Sequence, residues 1–228
     1  MQRMLCRPLW RARVFAMLVF VSHVVRSPFL FRGWRALLAL GAFAAVGCAS
    51  APPATSQTPP RATNAADYFP LDPGWKWAYD LEREGQHMLA VYAVLERVPE
   101  GAIVQAGDER ISYAVNREGI ALIDSSGRDF VLKNPVVRGA SWPVFAGTAT
   151  ITAVDKKVSV PSGDYANCVV VETLRKDPNR LSRTTFAPGI GPVAIEVQAE
   201  TQGRFVTTLR AELRGATRPG EDPLAFSH

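Results

Sequence analysis

Between Tyr68 and Leu213 the chain alternates apolar and polar residues over short stretches, and each stretch ends at a turn. This pattern constrains the fold more than any other feature. Trp75, Trp77, Tyr79 and Leu81 alternate with Lys76, Ala78, Asp80 and Glu82. A period of two with one apolar face belongs to a half-buried strand, because successive side chains of an extended backbone point to opposite faces. Asp72-Pro73-Gly74 supplies the turn before that strand, since proline fixes φ and glycine tolerates φ > 0. Glu84-Gly85-Gln86-His87 turns the chain into Met88–Val98. Further strands are expected at Ala102–Ala106, Arg110–Asn116, Gly119–Asp124, Phe130–Leu132, Thr148–Val160, Ala166–Leu174, Ser182–Ala187, Val193–Glu200 and Phe205–Leu213. Turn sequences such as Pro161-Ser162-Gly163-Asp164 and Pro188-Gly189 separate them. The segment Lys133–Ala146 shows no clear strand and reads as a long loop, and no amphipathic helix stands out. Short strands joined by regular turns predict an all-β fold, a curved antiparallel sheet forming an open barrel or a sandwich.

The flanking segments read differently. Residues 1–47 hold seven arginines and no acidic residue, which leaves 19 basic against 21 acidic residues in the rest of the chain. The overall charge of +5 therefore sits in the leader. No basic stripe remains for nucleic acid, and no nucleic-acid partner is expected. Arg32-Gly33-Trp34-Arg35 precedes the apolar run Ala36–Val46, which is too short to span a bilayer but fits the core of a signal peptide. A second apolar run, Val14–Val25, has no place in such a signal. Translation is accordingly expected to begin near Val24 or Val25. Ala49–Ala66, rich in Ala, Pro, Thr and Ser, reads as a disordered tether. The expected organisation is a leader at 1–47, Cys48 with the tether at 48–66, a β domain at 67–214 and a disordered tail at 215–228.

Ala45-Val46-Gly47-Cys48 resembles the lipobox of bacterial lipoproteins. The resemblance implies that the Cys48 thiol receives a diacylglyceryl group, that cleavage precedes it, and that the new amine is acylated. Two or more acyl chains give stable anchoring where one does not. Ala49 in place of aspartate after the cysteine implies, by similarity to enterobacterial sorting rules, an outer-membrane anchor facing the periplasm. Within the domain, Tyr68-Phe69-Pro70-Leu71 with Gly74 and Trp77 is similar to the start of a poorly characterised group of bacterial envelope lipoproteins. Val160-Pro161-Ser162-Gly163 followed by Asn167-Cys168, and Ala187-Pro188-Gly189-Ile190-Gly191, match two further motifs of that group. The resemblance implies a curved antiparallel β fold like the open barrels of lipoprotein-localisation factors, and it supplies no catalytic residue.

Reactive chemistry is sparse. His87 is the only histidine between the leader and the tail, so a Ser-His-Asp arrangement would have to use a residue beside a hairpin turn. Cys168 and His87 cannot make a four-ligand zinc site. Cys168 precedes Val169-Val170-Val171 and is expected in a buried strand as a small, inert hydrophobe. Asp108-Glu109 and Asp155-Lys156-Lys157 read as charged loop or edge positions. No cofactor, metal or catalytic residue is assigned. Trp75, Trp77, Tyr79 and Tyr92 are candidates either for the core or for the lining of a ligand cleft. Trp142, in the long loop, is a candidate contact residue. The function expected is binding or scaffolding by a membrane-anchored envelope lipoprotein, with a protein or lipid as ligand. The alternative is an envelope hydrolase working through paired carboxylates.

Overall fold

The computed structural model describes residues 63–221, except 126 and 177. The chain folds as one antiparallel meander of twelve strands: β1 (Lys76–Arg83), β2 (Gln86–Val98), β3 (Gly101–Ala106), β4 (Glu109–Asn116), β5 (Gly119–Asp124), β6 (Gly127–Lys133), β7 (Ser141–Val144), β8 (Gly147–Val160), β9 (Gly163–Lys176), β10 (Asn179–Ala187), β11 (Gly191–Thr201) and β12 (Arg204–Thr217). The sheet order is β6-β5-β4-β3-β2-β1-β12-β11-β10-β9-β8-β7. Chain neighbours pair except β6 and β7, which end the sheet, and the first strand pairs with the last, so β1–β12 joins two six-strand meanders. The fold is the expected all-β curved sheet, in its nearly closed barrel form.

Side chains rather than backbone ladders hold β6 near β7. Trp142 Nε1 donates to the Phe130 carbonyl (2.9 Å). Asp129 accepts from the Phe145 N–H (2.8 Å) and from Arg175 (3.1 Å), whose guanidinium also donates to the Phe145 carbonyl (3.2 Å). Asp129 and Arg175 are 19% and 25% exposed, so this pair is shielded better than an ordinary surface ion pair.

Hairpins alternate between the two ends of the barrel. The tether-side end carries the β2–β3, β4–β5, β8–β9 and β10–β11 turns, and it is plugged. Ahead of β1 runs a single helical turn, α1 (Ala65–Tyr68). Asn64 caps it by accepting from the Ala66 N–H (3.1 Å), and Asp67 accepts from the Asn64 N–H (3.3 Å), so two of the helix's orphan donors are satisfied. Phe69 then enters the interior and meets the rings of Trp77 (5.7 Å), Tyr113 (5.4 Å) and Phe186 (6.0 Å). Those rings belong to β1, β4 and β10, which are not neighbours in the sheet, so one side chain bridges separate walls. The long β8–β9 hairpin is bent by register shifts at Ile151/Ala153, Ala153/Lys156 and Lys156/Val158. Extra residues in one strand bend it and raise its twist. The bend brings Ser162 N–H to the Leu213 carbonyl on β12 (2.9 Å).

Three boundaries differ from the sequence reading. The tether expected to reach Ala66 yields to the domain earlier: Thr63 accepts from the Val136 N–H, and Ala65 is fully buried, its N–H bonded to Asn134 Oδ1 (2.8 Å). Small, uncharged residues suit both a tether and a tight helical turn, so composition could not separate them. The tail expected to begin at Gly215 instead continues β12 to Thr217, with Gly215, Ala216 and Thr217 opposite Ala78, Trp77 and Lys76. The loop expected over Lys133–Ala146 contains β7, paired with β8 from Ser141↔Thr150 to Val144↔Gly147. The leader, Cys48 and most of the tether lie outside the described residues.

Candidate functional site

The expected candidate cluster starts with β1. Its alternation is real: Trp75, Trp77, Tyr79 and Leu81 are buried at 2–7% exposure. Trp75 and Trp77 stack with an interplanar angle of 8°. Tyr79 meets Tyr92 of β2 edge to face, centroids 5.6 Å apart, and Tyr92 is half-buried. Buried Trp and Tyr need partners for their polar atoms. Trp77 Nε1 donates to the Ile190 carbonyl (2.6 Å), just before β11, and Tyr79 Oη to the Pro192 carbonyl (2.8 Å), the second residue of β11. Among the described residues no buried side-chain nitrogen or oxygen lacks a hydrogen-bond partner. Burial pushes the Tyr79 phenol well above its ordinary range, and neighbouring tyrosines add to the effect. Burial also raises Tyr92 and Tyr113.

Trp142 sits on β7, 3% exposed, with its indole spent on the β6–β7 seam. The structure therefore brings Trp75, Trp77, Tyr79 and Trp142 into one hydrophobic core, with Tyr92 packed against it; Trp142 enters that core from β7 rather than from the β1–β2 ring pairs. All four of the fully packed rings act as wall and filling. Cys168 is fully buried in β9, and burial pushes its thiol up to about 11 despite the opposing pull of Lys156. His87 is exposed as the second residue of β2. Among the described residues no group of three or more His, Cys, Asp or Glu side chains could hold a metal ion, and no helix is long and apolar enough to cross a membrane.

Charged residues are organised on the outer surface. Thr150, Glu172, Arg183, Glu196, Arg210, Glu82 and His87 are consecutive cross-strand partners from β8 through β9, β10, β11, β12 and β1 to β2. Arg183 contacts Glu172 (2.8 Å) and Glu196 (3.7 Å), and Arg210 reaches Glu196 (3.8 Å). Directly opposed charges of opposite sign stabilise strand pairing and fix its register. These carboxylates are thus committed to a structural row.

Sequence reasoning missed the open end of the barrel. A shallow depression there, lined by Arg83, Glu84, Arg180, Val197, Ala199 and Leu209 among others, has a volume of about 90 Å3. Small-molecule sites commonly measure roughly 300–1,000 Å3, so this depression is not a ligand cleft. Toward the same end of the barrel lie exposed apolar side chains: Leu89 (60%) and Val91 (48%) on β2, Phe145 (50%) in the β7–β8 turn, Leu174 (45%) on β9, and Phe205 (44%) and Val206 (51%) on β12. The signal in the sequence was the loss of alternation. Met88-Leu89-Ala90-Val91 and Phe205-Val206 are apolar in both phases, so one phase must face water or a partner.

No family model and no curated protein matches the chain. Two solved structures are similar to it. One is a Bacteroides fragilis protein described as exported and as having a YmcC-like fold. It is 12% identical with a TM-score of 0.43, over 67% of this chain and 99% of that one. The other, from Parabacteroides distasonis, is described as a lipoprotein. It is 14% identical with a TM-score of 0.39, over 66% of this chain and 98% of that one.

Proposed function

We propose that the protein is an envelope lipoprotein anchored through Cys48, and that its β domain is a scaffold that binds a partner on its outer surface rather than within the barrel. The observation that carries the scaffold reading is the state of the aromatic strand. Trp75, Trp77 and Tyr79 are packed against other rings, and the indole of Trp77 and the phenol of Tyr79 end on backbone carbonyls. A cleft for an acyl chain would need such side chains to line a gap. The anchor rests on Ala45-Val46-Gly47-Cys48 following an apolar core. Its placement on the outer membrane, facing the periplasm, rests on Ala49.

Two measurements test this reading. Cys48→Ser should shift the protein from the membrane fraction to the soluble fraction or stall it as a precursor. A mature N-terminus elsewhere, without acyl mass, would end the anchoring claim. Tryptophan emission of the mature chain should hold its position when phospholipid vesicles are added, because its tryptophans, Trp75, Trp77 and Trp142, are already out of water. A blue shift would replace the scaffold by a lipid cleft. Turnover of an envelope substrate, lost when one carboxylate is substituted in a variant that still folds, would replace it by a hydrolase.

A further inference from the structure

We infer that the first half of β2, Gln86–Val91, is a docking edge for a second copy of this chain, and that two copies pair there antiparallel about Leu89. The inference stands on the domain alone and does not need the anchor. β2 runs from Gln86 to Val98, but β3 pairs only with Tyr92 onward. The β3–β4 hairpin ends at Ala106↔Glu109, so Gln86–Val91 projects beyond that pair with a paired strand on the β1 side only.

The direction of the free backbone groups follows from the ladder. Val94 exchanges hydrogen bonds with the segment leading into β1, its N–H donating to the Trp75 carbonyl (2.8 Å) and its carbonyl accepting from Gly74. Backbone groups in a strand alternate in direction. Those of Tyr92, Ala90 and Met88 therefore point to β1, and those of Val91, Leu89 and His87 point outward; Gly107, the residue after Ala106, stands beside Val91, and no described strand meets Leu89 or His87. These three residues are also exposed on the outer face, Leu89 at 60% and Val91 at 48%.

Natural sheets protect bare edges with bulges, lysines or prolines, and this chain does so elsewhere. Beyond Thr150, β8 has no β7 partner, and there it carries three register shifts with Asp155, Lys156 and Lys157. The β6 edge is closed by the Trp142 and Asp129 contacts. Gln86–Val91 has no acidic residue, lysine, arginine or proline, and its pairing to β1 has no register shift. Its sequence is also self-complementary. A two-fold axis at Leu89 sets Leu89 against Leu89, Val91 against His87, and Met88 against Ala90, with no like charges opposed. With the Val91 carbonyl turned toward Gly107 of its own chain, the outward groups of the two copies then form about four backbone hydrogen bonds. The projecting step of each copy fits beside the shorter β3–β4 hairpin of the other. Isologous pairing of this kind closes on itself and leaves the edge covered.

The test uses the full chain, purified in mild detergent. A Leu89→Cys chain should form an interchain disulfide, because directly opposed residues of a hydrogen-bonded pair have Cα atoms about 5.5 Å apart, within the range a disulfide spans. Val137→Cys, at the opposite end of the barrel and 46% exposed as the native valine, should crosslink at least about tenfold more slowly, since pairing raises the effective thiol concentration only at position 89. Sedimentation of the unmodified chain should show concentration-dependent dimer, and Leu89→Lys should return it to monomer with an unchanged thermal transition. Leu89→Cys crosslinking no faster than Val137→Cys, or an unmodified chain that stays monomeric at about 100 µM while its edge is left to a strand of another protein, overturns the inference.

Discussion

Replacing Phe69 by alanine should be among the most damaging single changes in this domain, although Phe69 lies in no strand. Its ring is 5% exposed and sits 5.4–6.0 Å from three other rings on β1, β4 and β10. Truncation removes a fully buried aromatic side chain and leaves a cavity whose walls are ladder-paired strands with little freedom to collapse. Phe→Ala changes in such sites cost about 3–5 kcal/mol. The edge-to-face pairs, about 0.5–1.5 kcal/mol each beyond area, favour the upper half of that range. Urea denaturation followed by far-UV circular dichroism measures the change as a drop in midpoint. At about 2–4 °C per kcal/mol for a domain of this size, the thermal midpoint should fall by roughly 6–20 °C. Phe205→Ala is the control: that ring is 44% exposed at the open end, and the expected loss is under about 0.5 kcal/mol. A Phe69→Ala loss below about 1 kcal/mol would refute the argument, because it would mean that Tyr68–Leu71 lies on the barrel without plugging it.

Two further outcomes follow from particular residues. Gly191→Ala should destabilise far more than Gly189→Ala. Gly191 has φ +112° and an added Cβ would stand 3.2 Å from Trp77 Nε1 and 3.4 Å from Phe69, whereas Gly189 at φ +66° has open space around it; paired urea titrations measure the difference, and equal losses would contradict the packing at the plug. Cys168 in the folded chain should resist thiol reagents at neutral pH and label only in denaturant. Because its folded pKa is raised to about 11, the folded state keeps a proton that the unfolded chain, near 9, gives up. Its contribution to stability is whole below pH 9 and is lost as pH rises from about 9 to about 11. The raised phenols of Tyr79, Tyr92 and Tyr113 act in the same direction at higher pH. Denaturant midpoints measured across alkaline pH check the sign, and a midpoint that rises over that window would oppose it.

The strands were legible because each wall of the barrel has one wet and one dry face, which writes burial into the sequence with a period of two. Alternation of this kind, or an apolar run bounded by turns, located eleven of the twelve strands. The missing one, Ser141–Val144, is four residues long, contains Pro143, and pairs on one side only. An edge strand is the one place in a sheet where proline costs no ladder bond, so the residue that argued against a strand was in fact a mark of the edge. The plug escaped for a different reason. Phe69 contacts residues 8, 44 and 117 positions away in sequence, and no local pattern reports a side chain whose partners are that distant. The aromatic candidates were identified as residues but not in role. Alternation places Trp77 and Tyr79 inside the barrel, whereas only the positions of Ile190 and Pro192 decide whether their polar atoms are satisfied or left for a ligand.

The two ends of the barrel also differ in what they can meet. The described chain enters at Thr63, bonded to Val136 on the plugged end, while the exposed apolar residues of β2, the β7–β8 turn and β12 sit at the other. On the proposed anchoring, 14 residues lie between Cys48 and Thr63, a reach of at most about 50 Å when fully extended. A strand such as β2, 13 residues long, measures roughly 43 Å end to end. To lay Phe205 and Val206 on the bilayer that holds the lipid, nearly the whole tether would have to run back straight along the barrel wall, at a large cost in chain entropy. On that anchoring, a relaxed tether of 14 residues would span only about 20 Å and would keep the plugged end toward the membrane. The apolar rim and the open β2 edge then face the aqueous side, where a second anchored copy, held at the same height by its own tether, meets that edge more readily than lipid does.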